Sequence, residues 1–162
     1  MARVPRSFLA DGVYHVTGRG VDGCGIYRNE DDRRYFLRLV LDAVRRFGWS
    51  LHALCLMGNH YHLVFWSTRA ALSAGMHAVN GRHAQRFNLR YGRTGHLFGD
   101  RFGCRLVEDE RYLEDLCRYV EENPVRAGLC ELARRWPWSW SRYGKASAQL
   151  RKSVATLRSG QV

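Results

Sequence analysis

The sequence predicts a single α+β domain, and three observations lead to that prediction. The chain has 162 residues, which is about the length of one domain. Hydrophobic residues make up 46% of it and aromatic residues 12%, so it can build a core and is not a disordered chain. Strand-like and helix-like segments follow each other in the order β-α-β-β-α-β-α.

The first two elements are a strand and a helix. Residues 13–17 (VYHVT) are β-branched and aromatic and end at glycines, as a strand running into a loop does. Asn29 can cap the helix that follows, and three acidic residues come next, where the helix dipole favours them. An apolar stripe from Phe36 to Phe47 predicts one buried face, and Gly48 ends the helix.

A hairpin, a second helix and a further strand follow. Only Gly58 and Asn59 separate the strand-like residues 50–57 from residues 60–66, which is typical of a β-hairpin. A helical period returns from about residue 70 to residue 91, and a glycine-rich loop then leads to a strand at 104–107. These six elements have the order of the split βαβ in a ferredoxin-like antiparallel sheet with helices on one face.

The C-terminal part is predicted to contain a third helix, an aromatic segment and a tail. The helix runs from Asp109 to about Glu122, and Pro124 limits it. The segment 136–143 (WPWSWSRY) is expected to pack on the core rather than stack on bases. We expect residues 1–143 to form the domain and residues 144–162, which include basic residues but no acid, to form a mobile basic tail.

The charge of the chain indicates an anionic partner. The formal net charge is +11, and all of the 26 basic residues except Lys145 and Lys152 are arginines. Arginine holds phosphates bidentately and stacks on aromatic rings, which favours a nucleic acid, although a GC-rich genome would also enrich it. Charge alone leaves DNA, RNA and an anionic membrane open.

Several other classes find no support in the sequence. It lacks a signal peptide and an apolar run of membrane-spanning length, so we expect a cytoplasmic protein without a membrane partner. The five cysteines contain no C-x-x-C pair that would suggest a zinc knuckle or a redox dithiol. No glycine-rich loop has a nucleotide-binding pattern, and no small-molecule substrate is predicted.

The segment 59–63 (NHYHL) offers a pair of metal ligands. On a strand, His60 and His62 project from the same face, close enough to share one ion, while Tyr61 points the other way. The pattern H-x-H is common, however, and two such histidines on a half-exposed strand are more often rim residues. A third ligand would favour the metal site.

The segment 118–129 (RYVEENPVRAGL) offers a phenol and an amide. On a helix, Tyr119 and Asn123 lie four residues apart and face the same side. Pro124 disfavours helical geometry at Asn123, so an alternative makes Asn123 the N-cap of a short following helix and Tyr119 an ordinary rim aromatic. From this segment alone we prefer the alternative in which Asn123 is an N-cap and Tyr119 is a rim aromatic.

Taken together, the two segments resemble the two signatures of the IS200-like single-strand transposases, the Y1 or HUH nucleases. Within that family the sequence is similar to the REP-associated tyrosine transposases, and the similarity covers residues 12–143. Further support comes from residues 14–20 (YHVTGRG), 95–102 (GHLFGDRF) and 136–139 (WPWS). Gly58 and Trp140 stand where the family often has proline and serine.

The resemblance implies a ferredoxin-like domain that cleaves DNA with a metal ion. His60, His62 and Asn123 match the positions that hold Mg²⁺ or Mn²⁺, and zinc remains open on ligand chemistry alone. Tyr119 matches the nucleophile that becomes a 5′-phosphotyrosine and leaves a free 3′-hydroxyl, so strands can be rejoined without ATP. The implied partner is single-stranded or hairpin DNA, and the protein acts as a monomer or a homodimer.

Arginines near these signatures are the predicted phosphate contacts. These arginines lie on the second helix, around the following strand or in the tyrosine segment. They are Arg82, Arg86, Arg90, Arg93, Arg101, Arg105 and Arg126. A solvated helical face is the alternative for any one of them, and Arg126 could instead pair with Glu122. A non-catalytic hairpin DNA- or RNA-binding protein and a zinc-stabilised structural protein remain alternative functions.

Overall fold

Five strands form one antiparallel sheet in the computed structural model, which describes residues 10–144. In chain order they are β1 (Gly12–Arg19), β2 (Ser50–Leu56), β3 (His60–Ser67), β4 (Gly103–Leu106) and β5 (Ser139–Ser141). Their order across the sheet is β4-β1-β3-β2-β5. The first four strands have the ferredoxin-like arrangement, so the predicted fold is confirmed.

Three helices cross the sheet: α1 (Glu30–Phe47), α2 (Arg69–Tyr91) and α3 (Glu110–Arg126). Asn29 caps α1 as predicted, because its side chain accepts a hydrogen bond from the Asp32 amide at 3.1 Å. Gly48 ends α1 with a left-handed φ of 66°, a conformation that glycine adopts without steric cost. These local signals fix the ends of the first helix.

The helices divide between the two faces of the sheet. On β3, Leu63 and Phe65 belong to the core that α1 and α2 cover. Val64 belongs to a second, smaller core under α3, which contributes Leu116 and Val120 among others. Because side chains alternate along a strand, every second residue of β1 and β3 faces α3.

The prediction that Pro124 limits α3 is wrong, and so is the alternative in which Asn123 caps a new helix. The helix continues through both residues to Arg126. Proline has no N–H to donate to the carbonyl of Val120 one turn earlier. The side chain of Asn123 takes over that role, since its Nδ2 donates to the Val120 oxygen at 3.4 Å and to the Tyr119 oxygen at 3.0 Å.

The aromatic segment near the C-terminus packs on the core, as expected, and adds an unpredicted strand. Trp138 and Trp140 are buried, and the Trp136 Nε1 donates to the Leu56 carbonyl at 3.1 Å. Residues on either side of Trp140 pair with β2 as β5. Apart from Gly144, which packs against the Glu121 carboxylate, the predicted tail lies outside the described residues.

Close packing between α2 and the segment before β2 depends on a glycine. A Cβ added at Gly75 would meet the Trp49 Cζ2 at 2.2 Å, so the indole occupies the space that a side chain would need. That indole stacks on Phe65 at a centroid distance of 4.1 Å, which ties α2 to the centre of the sheet.

Two findings for residues 10–144 concern membrane-spanning helices and cysteines. No helix there is both long and apolar enough to cross a bilayer. The five cysteines are free thiols, and Cys55 and Cys117 are buried in the core under α3.

Candidate active site

The two histidines of β3 lie on the face of the sheet that α3 covers. His60 and His62 alternate with the core residues Tyr61 and Leu63, and their ring centroids are 5.2 Å apart in an edge-to-face arrangement. Tyr119 of α3 places its ring 6.5 Å from that of His62, also edge to face. The Tyr119 side chain is 40% exposed, so a substrate can reach its phenol.

Asn123 lies one turn beyond Tyr119 on the same helix. Because its Nδ2 donates to the two helix carbonyls, the orientation of the amide is set and the Oδ1 is left for other partners. An amide oxygen is a suitable ligand for Mg²⁺ or Mn²⁺. The break in the hydrogen-bond pattern at Pro124 therefore orients a candidate ligand.

Two residues that received no role from the sequence hold the histidines. The Nε2 of His15 on β1 lies 3.0 Å from the Nδ1 of His62, and the rings stack with centroids 5.2 Å apart. The Oδ1 of Asn59 lies 2.7 Å from the Nδ1 of His60. Alternation along β1 could have placed His15 on the same face as the histidines, but only the strand register brings it beside His62.

The environment keeps the three imidazoles neutral. Burial, together with His15, His60 and Arg19 nearby, lowers the pKa of His62 to about 3. Burial first, and then Arg19, lowers the pKa of His60, while burial and Arg105 lower the pKa of His15. Metal binding needs a neutral imidazole with a free lone pair, so these rings are in the required protonation state at pH 7.

Basic side chains border the histidines. Arg19 of β1 is the register partner of His60, and Arg105 of β4 is the partner of His15; both are exposed and lie on the α3 face. The guanidinium of Arg126 lies over the Tyr119 ring at 4.8 Å and 3.7 Å from the Glu122 carboxylate, so the predicted Glu122 pair forms. Arg19 was not among the predicted phosphate contacts.

The arginine row of α2 does not lie beside the histidines, contrary to the expectation, because α2 covers the opposite face of the sheet. Arg86 stacks on Tyr35 at 4.2 Å, and Arg90 pairs with the Asp32 carboxylate at 3.3 Å. At Arg90 the anionic partner in the structure is therefore a carboxylate of α1. Arg82 is exposed on α2, and Arg101 is exposed in the segment before β4.

Arg93 lies just beyond the C-terminal end of α2. Its Nη1 lies 3.7 Å from the Cys24 Sγ, in the loop after β1. The same loop contacts the hairpin that carries His60, because the Gly20 amide donates to the Asn59 carbonyl at 2.9 Å.

His60 and His62 are two neutral imidazoles that one divalent ion could share, but among the described residues they are not part of a conventional cluster of ligands. Within residues 10–144, no three His, Cys, Asp or Glu side chains are grouped closely enough to hold a metal. A site here would therefore combine the imidazoles of His60 and His62 with an amide oxygen, water or phosphate oxygens. Such a mixed nitrogen and oxygen set, with open positions, suits catalysis better than structural zinc binding.

Comparison with known proteins supports the interpretation of the two signatures. The family described as "Transposase IS200 like" matches residues 22–123, which include both histidines, Tyr119 and Asn123. The chain belongs to this family. Transposases are DNA-cleaving enzymes, so membership of the IS200-like family gives the class of chemistry. A search of curated proteins found no match.

Two solved structures resemble this IS200-like transposase. One is a REP-associated tyrosine transposase bound to a REP hairpin, 16% identical, with a TM-score of 0.65 over 86% of this chain and 82% of that one. The other is a candidate transposase from Deinococcus radiodurans R1, 20% identical, with a TM-score of 0.47 over 75% of this chain and 97% of that one. At these identities the first likeness establishes the fold.

Proposed function

We propose that this IS200-like transposase is a metal-dependent endonuclease and strand transferase for single-stranded, hairpin-forming repeat DNA. The observation that carries the proposal is the position of Tyr119, whose exposed ring lies 6.5 Å from His62 on the same face of the sheet. A tyrosine beside two neutral imidazoles that can hold a divalent ion is an arrangement that can support phosphodiester cleavage.

Tyr119 is the nucleophile in this proposal. Its Oη forms a bond to the scissile phosphorus as the bond from phosphorus to the 3′ oxygen breaks; the phenol loses its proton and the 3′ oxygen gains one. The products are a 5′-phosphotyrosine and a free 3′-hydroxyl. Attack by another 3′-hydroxyl reverses the step, and the phosphotyrosine bond supplies the energy for joining.

His60, His62 and Asn123 would hold Mg²⁺ or Mn²⁺. When bound, the ion supplies Lewis-acid polarisation of the scissile phosphate. Arg126 covers one face of the Tyr119 ring and so helps keep the phenol beside His62. Arg19 and Arg105 offer positive charge on the same face for the phosphates of the incoming strand.

The DNA partner is proposed to be single-stranded or hairpin DNA. The solved transposase with the same fold is bound to a REP hairpin. Tyr119 must reach a splayed backbone in line with the leaving oxygen, which an unpaired strand permits. Together with Arg126, the predicted contacts Arg93, Arg101 and Arg105 would bind phosphates along this path.

A covalent adduct tests the proposal. A labelled hairpin oligonucleotide with a single-stranded flank is incubated with the protein and Mn²⁺ or Mg²⁺, and the products are separated under denaturing conditions. Wild type is expected to form a protein–DNA adduct that chelation prevents and Tyr119→Phe abolishes. Tyr112→Phe is the matched control, because Tyr112 is an exposed tyrosine on α3 without a contact to His62.

Two outcomes would contradict the proposal. An adduct that persists in Tyr119→Phe would refute the assignment of the nucleophile. Hairpin binding without any adduct, indifferent both to metal and to His60→Ala, would instead support the non-catalytic nucleic-acid-binding alternative.

A further inference from the structure

The amide of Asn59 has only one orientation that satisfies its neighbours. Its Nδ2 lies 3.1 Å from the carbonyl oxygen of Gly23, which can only accept a hydrogen bond. The amide nitrogen must therefore face Gly23, and the Oδ1 must face His60. Since the Oδ1 also only accepts, the Nδ1 of His60, 2.7 Å away, must carry the proton.

A second contact involves the Nδ1 of His62. The Nδ1 of His62 lies 3.0 Å from the Nε2 of His15, so one proton is shared between two neutral rings. When His62 is the donor, its Nε2 keeps a lone pair for a ligand. When His15 is the donor, the proton of His62 sits on Nε2, and that nitrogen cannot bind a metal.

The contact with His15 permits either tautomer of His62, whereas the contact with Asn59 permits only one tautomer of His60. We propose that Asn59 is a positioning residue that holds His60 as the Nδ1–H tautomer and so leaves its Nε2 for the metal ion. The inference rests on the metal-binding role proposed for His60 and His62. It assigns Asn59 a task that neither the H-x-H spacing nor the helix signature contains.

The physical benefit is a site prepared before the ion arrives. Neutral histidine in water prefers the proton on Nε2, which is the nitrogen needed here for binding. A hydrogen bond to Nδ1 reverses that preference, fixes the rotation of the ring and raises the basicity of the other nitrogen. Loss of such a partner commonly weakens metal affinity by about 10- to 100-fold.

The contacts of Asn59 also link the site to the loop after β1. Gly23, which accepts the Asn59 amide, belongs to a turn (Val21–Gly23) in which Asp22 and Gly23 have positive φ values of 50° and 71°. That turn holds the acceptor where Asn59 needs it. The orientation of His60 is therefore set from outside the hairpin that carries it.

The experiment measures tautomers in the metal-free protein. Long-range ¹H–¹⁵N correlation spectra of ¹⁵N-labelled protein distinguish an Nδ1–H from an Nε2–H ring. We expect His60 in wild type to be Nδ1–H. In Asn59→Ala the His60 ring is expected to shift toward Nε2–H, whereas in His15→Phe, which leaves the Asn59 contact intact, it should stay Nδ1–H.

A conservative variant separates positioning from folding. Asn59→Asp keeps an oxygen for His60 but loses the donor to Gly23, so the His60 ring should remain Nδ1–H. Mn²⁺ affinity, measured by electron paramagnetic resonance of the free ion, should fall about 10- to 100-fold in Asn59→Ala. His77→Ala, at an exposed position of α2, should keep the wild-type affinity.

An Nε2–H ring at His60 in wild type would overturn the inference. So would an Asn59→Ala protein that keeps both the wild-type tautomer of His60 and the wild-type Mn²⁺ affinity. None of these measurements uses DNA, so a wild type that forms no covalent adduct would refute the cleavage function without altering these outcomes.

Discussion

Acidification should destabilise the protein through His62. The pKa of this partly buried ring is lowered to about 3 in the folded state, against 6.5 for an ordinary histidine. Below pH 6.5 His62 takes up a proton in the unfolded chain but not in the folded protein, so the free energy of unfolding decreases as the pH falls. Between pH 7 and pH 5 the loss from this one group is about 2 kcal/mol, with a slope approaching about 1.4 kcal/mol per pH unit.

Urea unfolding of the metal-free protein at pH 7 and pH 5 measures this loss. The free energy of unfolding of wild type should fall by about 2 kcal/mol more than that of His62→Gln, which has no group to titrate at this position. His77→Gln, on the exposed face of α2, controls for the loss of one histidine. Equal falls in wild type and His62→Gln would show that His62 is not held neutral by its surroundings.

Four further variants test packing and DNA contacts. Gly75→Ala should lower the free energy of unfolding by about 1–3 kcal/mol, because the added Cβ would meet the Trp49 indole at 2.2 Å. A Cβ added by Gly81→Ala on the same helix meets nothing within 4 Å, so this variant should raise the free energy of unfolding by up to about 1 kcal/mol. Arg19→Gln should weaken hairpin binding and reduce the slope of log affinity against log salt by about 0.7, the value for one contact to a single-stranded phosphate. Replacing Arg82 and Arg86 together by glutamate tests the α2 face, which lies away from the histidines: weaker binding would show that the hairpin also contacts this face, whereas unchanged affinity and salt dependence would favour genome composition as the source of these arginines.

Much of the fold could be predicted because its signals are local. The Asn29 cap, Gly48 and the Gly58-Asn59 turn each mark an end of an element by their own chemistry, and the structure places those ends where expected. The order of the elements then leaves few sheet topologies open. Strand β5 escaped prediction because three residues are too short to show an alternating pattern.

The helix through Pro124 could not be predicted from backbone preferences. A rule about the residue before proline indicates a break, but it ignores the Asn123 side chain, which donates to the carbonyl left without a partner. Local propensity is overridden here by a side-chain hydrogen bond and by the packing of Pro124 in the interior.

The sequence predicts only those features of the candidate site that lie within a single segment. Alternation along β3 placed His60 and His62 on one face, and helical spacing aligned Tyr119 with Asn123. The contact between His15 and His62 depends on the β1–β3 register, which is a long-range property. The same holds for the arginine row of α2: its spacing is visible in the sequence, but which face of the sheet the helix covers is not.

Peptide mass spectrometry can identify directly whether Tyr119 is the residue that attacks DNA. Wild-type protein is incubated with a hairpin oligonucleotide and Mn²⁺, the covalent complex is digested with protease and nuclease, and the modified peptide is sequenced. We expect a 5′-phosphonucleotide on the Tyr119 side chain. A nucleotide on another residue, such as Tyr112 on the same helix, or cleaved DNA with no modified peptide, would contradict it.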